Sequence, residues 1–359
     1  MSSHAMRRPA NGTNVTVGLD LGDRTSRVYE VGAAGERVTE ATIPTTRAGL
    51  TRYFADRAPC CIVLEVGTHS PWVSRDLAAL GHDVVVANPS AMFGARRRRR
   101  RRNDQLDAAF LARQGRADRA LLYPIQHRTP AAQQHLELLR ARDQVVQVRS
   151  KLINHVRGAV KSLGGRIGRC SAEAFAKRAA LEVPEALQRA VTPLLELLAE
   201  LTRRIGGFDR QIAQVIAEQY PVAQRLQQPA GVGPLTALAF VLLVEDPTRF
   251  AKSRDVGAYF GLVPRLDESG NSQPQLRISK AGDAFGRRLL VSAAHYILGP
   301  FGPACDLRRH GEAIAQRGGR NAKKRAVVAV ARTLAVLLHR LWVSDRAYEP
   351  DYLPSRRAA

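Results

Sequence analysis

"NVTVGLDLG", residues 14–22, is the stretch on which the fold turns. Its apolar run reads as a buried strand. Asp20 nevertheless sits inside it, where a charge is costly unless it meets a metal ion or a partner. Downstream, "SRVYEVGAAGERVTEATI" (26–43) reads as two further strands joined around a glycine-containing turn. "TRAGLTRYFADRA" (46–58) is helical, and "CCIVLEVG" (60–67) is a buried strand that ends at Glu65. "SPWVSRDLAALG" (70–81) is a helix opened by Ser70 and Pro71, "DVVVANP" (83–89) is another strand, and a helix begins near Asn103. A strand hairpin followed by βα units predicts a mixed sheet covered by helices over residues 14–128.

The rest reads as helical. Residues 1–13 are polar and expected to be disordered, with no signal-peptide pattern. In 129–221, Leu139, Val146, Ile153 and Val160 recur every seven residues. A second run, Leu194, Leu198, Leu201, Ile205, Phe208, Ile212 and Val215, follows the coiled-coil spacing, interrupted by Gly206 and Gly207. The two stripes pack either on each other or on another chain. Residues 222–348 start with an apolar helix entered through Gly231-Val232-Gly233-Pro234 and end with "NAKKRAVVAVARTLAVLLHRLW". Residues 349–359 read as a mobile tail. The fold class is thus α/β plus α: a mixed sheet with helices, central coiled-coil helices and a mainly helical C-terminal domain.

Of 359 residues, 55 are Lys or Arg and 32 Asp or Glu, a formal net charge of +23. Such an excess calls for a polyanionic partner. A membrane fits poorly, since the longest uninterrupted apolar run, Ala237 to Val244, is far too short to span one. The four cysteines lack metal-ligand spacing, which points to a reducing compartment, and the nine histidines are scattered. Charge peaks at Arg96, Arg97, Arg98, Arg99, Arg100, Arg101 and Arg102. A helix N-terminus is itself partly positive, so this block needs a polyanion from outside the local chain.

Four carboxylates surround that block in sequence. Asp20 and Glu65 lie on strands. Asp104 and Asp107, three apart at a helix start, share one face with Cβ atoms about 5–6 Å apart. Asn103 also suits an N-cap, first-turn aspartates complement the helix dipole, and Glu65 suits an exposed strand end. Together the four supply what two Mg²⁺ ions about 3.5–4 Å apart require to activate a nucleophile and steady a leaving oxygen.

The order "GLDLG", "LEVG", "NDQLDAAFLA" resembles the RuvC-like, ribonuclease-H-type nuclease domain with its Asp-Glu-Asp-Asp set. "PAGVGPLTALAFVLLVEDPTRFAKSRDVGAYFGLVP", "ISKAGDAFGRRLLVSAA" and "KKRAVVAVARTLAVLL" resemble the second domain of the insertion-sequence transposases of the one-hundred-and-ten family, the bridge-RNA-guided recombinases. The resemblance runs from about Val15 to Tyr352. One departure is Arg102-Asn103-Asp104 where that family usually has Lys-Thr-Asp, and the arginine block is longer than expected.

The resemblance implies that Asp20, Glu65, Asp104 and Asp107 bind Mg²⁺. It also implies a serine nucleophile just after "GLVP". Ser269, before Gly270, fits that place, with Ser272 and Ser279 as competitors; the residues alone read as a turn. "GVGP" resembles a helix-hairpin-helix element whose Gly231 and Gly233 would turn backbone N–H groups to a phosphate, although a tight interhelical turn reads equally well. Lys280, Arg287, Arg288, Lys323 and Lys324 add cationic faces. The implied partners are donor and target DNA, a structured bridge RNA and further copies of the chain as dimer or tetramer, in a bacterial cytoplasm beside the nucleoid. The rival expectation is a metal-dependent endonuclease of Holliday-junction type that needs no serine.

Overall fold

The computed structural model describes residues 15–89, 104–265 and 276–351, with the backbone alone at 104–106. The arginine block, Ser269, Ser272 and both termini lie outside these residues. The chain divides into two compact units, Met1–Arg128 and Thr129–Ala359.

In the first unit the described residues form a five-stranded sheet in the order β3-β2-β1-β4-β5. The strands are β1 (Thr16–Leu21), β2 (Thr25–Val31), β3 (Arg37–Pro44), β4 (Cys61–Glu65) and β5 (Asp83–Ala87). β1, β2 and β3 pair antiparallel; β4 lies parallel to β1 and β5 parallel to β4. The parallel pairs are joined through helices, as such pairs must be: α1 (Arg47–Phe54) before β4 and α2 (Ser70–Ala79) after it.

Alternation along the strands assigns their faces. Val17, Leu19, Val28, Ile62, Leu64 and Val86 pack against Leu50 and Phe54 of α1 and Val73 and Leu77 of α2. The opposite face, with Tyr29, Val31, Cys61, Val63 and Val85, is covered by α3 (Asp104–Ala117) through Ala108, Ala109, Leu111 and Ala112. Burial pushes the Cys60 and Cys61 thiols up to about 11, in keeping with the adjacent pair as inert strand residues. Glu30 is buried among the α1 contacts because Tyr53 Oη donates to it at 2.7 Å and Arg57 pairs with it.

The contact between β1 and α3 is backbone on backbone. A Cβ at Gly18 would lie 2.0 Å from the Ala108 carbonyl oxygen and 2.6 Å from the Ala112 nitrogen, and one at Gly115 would lie 2.3 Å from Val63 Cγ2. No side chain fits at either place.

The second unit is built on two long helices, α4 (Pro130–Ser162) and α6 (Glu185–Gln219), with α5 (Phe175–Glu182) between them. α4 and α6 pack on each other within the chain. Their near ends, with Leu136, Leu139, Ile212 and Ile216, share a core with α7 (Pro221–Arg225), α8 (Pro234–Val244), α9 (Asp255–Tyr259), α10 (Ala284–Leu298), α11 (Asp306–Gln316) and α12 (Ala322–Ser344). Their far ends close a separate core with α5, containing Val156, Val160, Phe175, Leu195 and Leu198.

Between the two cores the interface turns polar. Asp143 and Arg149 are buried there. Arg288 Nη2 reaches Asp143 Oδ2 at 2.5 Å, and Arg149 Nη2 reaches Glu173 Oε1 at 3.1 Å. Val146 and Ile153 of the seven-residue stripe are only half-buried. A straight helix drifts about 20° per heptad from a 3.5 repeat, so the contact line leaves a strict stripe. On α6 the row Leu198, Ile205, Ile212 is buried. The second row falls on Val191, Leu195 and Ile216, one residue away from the expected Leu194 and Val215.

Gly206 and Gly207 do not break α6, which runs through both. Their cost, about 1 kcal/mol each against alanine, is outweighed by packing on either side. α12 is long and apolar enough to cross a membrane by length and composition, but half of its apolar window is buried inside the protein. It supplies Val330, Leu334 and Leu338 to the core and opens with Lys323, Lys324 and Arg325.

Two glycine substitutions should separate close approach from helix propensity. Gly18→Ala must push α3 off the sheet and should lower stability by about 1–3 kcal/mol. Gly158→Ala, on an exposed stretch of α4 with nothing within 4 Å of its Cβ, should raise stability by about 0.5–1 kcal/mol. Thermal melts of the full chain measure both; equal effects of the same sign would contradict the β1–α3 contact.

Candidate active site

Leu19 of β1 pairs with Leu64 of β4 in a parallel register, so Asp20 and Glu65 leave neighbouring strands at the same level. Both leucines face α1 and α2. Alternation therefore puts both carboxylates on the α3 face, where Gly18 and Val63 lie. Asp20 and Glu65 are half-buried, and Glu65 Oε1 is shielded from solvent. With Leu21, Asp23, Val66, Gly67, Thr68 and His69 they line a cleft of about 330 Å³.

α3 runs antiparallel to β1, since Gly115 faces Thr16 and Val63 while Ala108 and Ala112 face Gly18. From Gly18 to Asp20 the strand advances about 6–7 Å. The same distance back along α3, at about 1.5 Å per residue, leads from Ala112 and Ala108 to the turn that carries Asp107 and Asp104. Asp107 is half-buried and does not line the cleft among the described residues; Asp104 opens the helix, its side chain outside them. Among the described residues no three Asp, Glu, His or Cys side chains stand close enough to hold a metal ion. Asp20 and Glu65 form an all-oxygen donor pair, the kind that suits a hard cation such as Mg²⁺.

Asp23, Thr68 and His69 were not anticipated from the sequence. They come with the loop after β4, which Ser70 fixes: its Oγ accepts the Gly67 N–H at 2.9 Å and donates to the Gly67 carbonyl at 2.8 Å. His127 Nε2 lies 2.9 Å from the same oxygen and is left to act as donor. The nearest sequence signal was His69 itself, four residues beyond Glu65, hidden by the scatter of the other histidines.

In the second unit, Val263, Pro264 and Arg265 pair with Arg277, Ile278 and Ser279. The Arg265 N–H donates to the Arg277 carbonyl at 3.0 Å and the Ser279 N–H to the Val263 carbonyl at 2.8 Å. Both ends of the segment that holds Ser269 and Ser272 are thus clamped together. Ser279 Oγ itself accepts the Ala281 N–H at 3.4 Å, a turn contact.

Gly231 has φ +78°, and a Cβ there would lie 2.8 Å from the Ala293 carbonyl oxygen, so the turn before α8 needs this glycine for packing alone. Gly233, exposed and extended, caps α8. Arg287 donates to the Phe260 and Ala281 carbonyls, and Arg288 holds Asp143. Lys280, Lys323 and Lys324 are exposed.

Burial, with Arg75 and Arg128 nearby, lowers the His127 pKa. The unfolded chain then takes up this proton more readily than the folded one, so its contribution to stability is full above about pH 6.5 and is lost as pH falls toward the lowered folded value. Urea melts at pH 7.5 and 5.5 should show wild type losing more stability on acidification than His127→Gln. Equal losses would remove His127 from that role.

Comparison with known proteins agrees with this architecture. Residues 17–164 match a transposase family model for the DEDD domain of IS110, and residues 223–304 match the family described as Transposase IS116/IS110/IS902. The transposase for insertion sequence element IS1328 of Yersinia enterocolitica is 30% identical over 287 residues, covering 78% of this chain and 83% of the relative. That for IS1111A of Coxiella burnetii is 32% identical over 256 residues, 69% and 68% of the two chains. A probable family 20 transposase of Pseudomonas aeruginosa is 28% identical over 345 residues, 93% and 98% of the two. The two family matches fall one on the sheet-bearing unit and the start of the helical one and the other within the helical unit, and the relatives match over most of their length; the chain belongs to the IS116/IS110/IS902 family of transposases, enzymes that cut and rejoin DNA.

Proposed function

We propose that the protein recombines DNA under the guidance of a bound structured RNA, through Mg²⁺-dependent attack by a serine that forms a transient phosphoserine link. The observation that carries the metal-dependent part is the meeting of Asp20 and Glu65 at one level of neighbouring strands, lining one cleft. Asp20, Glu65, Asp104 and Asp107 would hold Mg²⁺, which when bound withdraws charge from a scissile phosphate and lowers the barrier to its attack. The residues of the cleft themselves orient that phosphate, and the β1–α3 backbone contact keeps strand and helix acids in step.

Ser269, or Ser272 or Ser279 in its place, would supply the attacking oxygen. Its Oγ forms a bond to phosphorus as one P–O bond of the strand breaks, the departing strand hydroxyl taking up a proton. Rejoining reverses this: a hydroxyl of the incoming strand attacks phosphorus and the serine leaves. The ester keeps the phosphodiester bond energy, so no ATP is needed. The pairing of Val263, Pro264 and Arg265 with Arg277, Ile278 and Ser279 supports this reading, because it brings the described residues on either side of Ser269 and Ser272 in sequence close together. The net charge of +23, with Arg96 to Arg102 as its densest block, favours nucleic-acid backbones as partners, and RNA and DNA would be held by the same chemistry. Two or four copies of the chain would assemble on the two DNA partners.

Asp20→Ala or Glu65→Ala should abolish strand cleavage of a duplex carrying the element's own end, with DNA affinity within a fewfold of wild type. Addition of EDTA to wild type should do the same. Cleavage that persists in Asp20→Ala would overturn the metal reading.

Ser269→Ala should fold normally and lose the protein–DNA adduct that wild type shows on denaturing gels. Mass spectrometry of that adduct assigns the serine. An adduct on Ser272 or Ser279 would move the role to that residue, and clean hydrolysis without any adduct would favour the endonuclease alternative.

A further inference from the structure

The acid cleft contains a neutral hydrogen-bond donor whose orientation is set by a neighbouring side chain. Trp72 Nε1 lies 3.1 Å from His69 Nδ1, with the two rings edge to face at 86°. An indole nitrogen can only donate. His69 Nδ1 is therefore an acceptor, and the neutral ring carries its proton on Nε2. Trp72 cannot easily turn away, because it packs against the core beneath α2 and Arg47 lies 5.8 Å above its ring.

The Nε2–H side faces Asp23, whose Oδ1 is 3.5 Å away, long for an N–H···O bond. Asp23 is almost fully exposed, at 93%, while the His69 ring is mostly covered. This proton is thus fixed in direction but weakly held, and both residues line the cleft with Asp20 and Glu65.

Charge explains why a neutral donor suits this position. Before any cation is bound, the carboxylates of Asp20, Asp23 and Glu65 that line the cleft repel an incoming phosphodiester. A lysine or arginine at position 69 would answer that repulsion, but it would also pair with Asp23 or Glu65 and leave the cleft occupied by its own ion pair. A neutral N–H offers an anionic oxygen one bond without that collapse.

The geometry points to His69 as a substrate-contacting residue: its Nε2–H donates to a non-bridging oxygen of the DNA phosphate that enters the Asp20–Glu65 cleft, with Trp72 as the positioning residue that fixes the tautomer. This rests on the cleft being the site of strand cleavage, as proposed above.

The test uses the full chain with the RNA it retains on purification and a labelled duplex that carries the element's own end. Single-turnover cleavage and DNA affinity are measured separately. Loss of one donor aimed at a reacting oxygen costs up to about 100–1,000-fold in rate elsewhere. His69→Ala should slow cleavage about 10–100-fold with affinity almost unchanged. His69→Gln, which restores an N–H at similar reach, should recover most of the rate. Replacing the contacted phosphate oxygen by sulfur, one stereoisomer at a time, should slow wild type and leave His69→Ala unaffected, a coupling that a merely structural role would not produce.

His69→Ala cleaving at the wild-type rate while Asp20→Ala is inactive would overturn the role of His69 and leave the acid site standing. An active Asp20→Ala would remove the acid site itself. Should His69→Ala misfold, a nitrogen-15 histidine spectrum of wild type still decides: a proton on Nε2 supports the assignment, and one on Nδ1 overturns it. In Trp72→Phe that preference should be lost and cleavage should slow.

Discussion

At Gly18 the backbone of β1 lies directly against the backbone of α3, with no space for even a methyl group. Much of the first unit follows from that approach. It fixes the height of the helix over the sheet and its sliding position along β1. The acids of the strand and the first turn of the helix are then held at the same level. Gly115 makes room one level further down for the Val63 side chain of β4. Two glycines thus set a distance that larger residues would set by their own packing, and they set it shorter. Such backbone contact resists sliding more than a layer of mobile side chains would, which matters for a site whose members come from different elements.

The cleft shows how repulsion among acids is kept local. Glu30, the buried acid on the opposite face of the sheet, is neutralised by Tyr53 and Arg57, and burial together with Glu30 raises the Tyr53 hydroxyl to about 12. That face is settled. Asp20 and Glu65, on the α3 face, instead line one cleft together with Asp23, Thr68 and His69 of the adjoining loops.

In the second unit the polar belt at Asp143 and Arg149 divides two apolar cores along one helix pair. Buried ion pairs add little net stability, because desolvation offsets the attraction. Their effect here is on register: Asp143 meets Arg288 of α10, and Arg149 meets Glu173 and Thr202, so a shift of α4 along α6 would leave charges buried and unpaired. Arg287 is held by the Phe260 and Ala281 carbonyls and the exposed Arg288 by Asp143, while Lys280, Lys323 and Lys324 are also exposed.

The sequence by itself determined the elements of the first unit and their class. Apolar runs bounded by turn residues mark β1 to β5, and strand and helix periods differ enough to be told apart. It also singled out Asp20, since a charge within an apolar strand has few tolerable explanations. It determined that helices fill the remainder, though not how they touch: seven-residue stripes predict a contact line only while the helices keep that period. Tertiary structure alone decided the rest. The pairing of Leu19 with Leu64, which sets Asp20 beside Glu65, joins residues 45 positions apart and depends on strand order, which periodicity does not encode. His69 gained its meaning only from a folded loop, because the hydrogen bond from Trp72 and the neighbouring acids are facts of proximity. Gly18 looked like any glycine in a strand until a helix was seen to need its missing side chain.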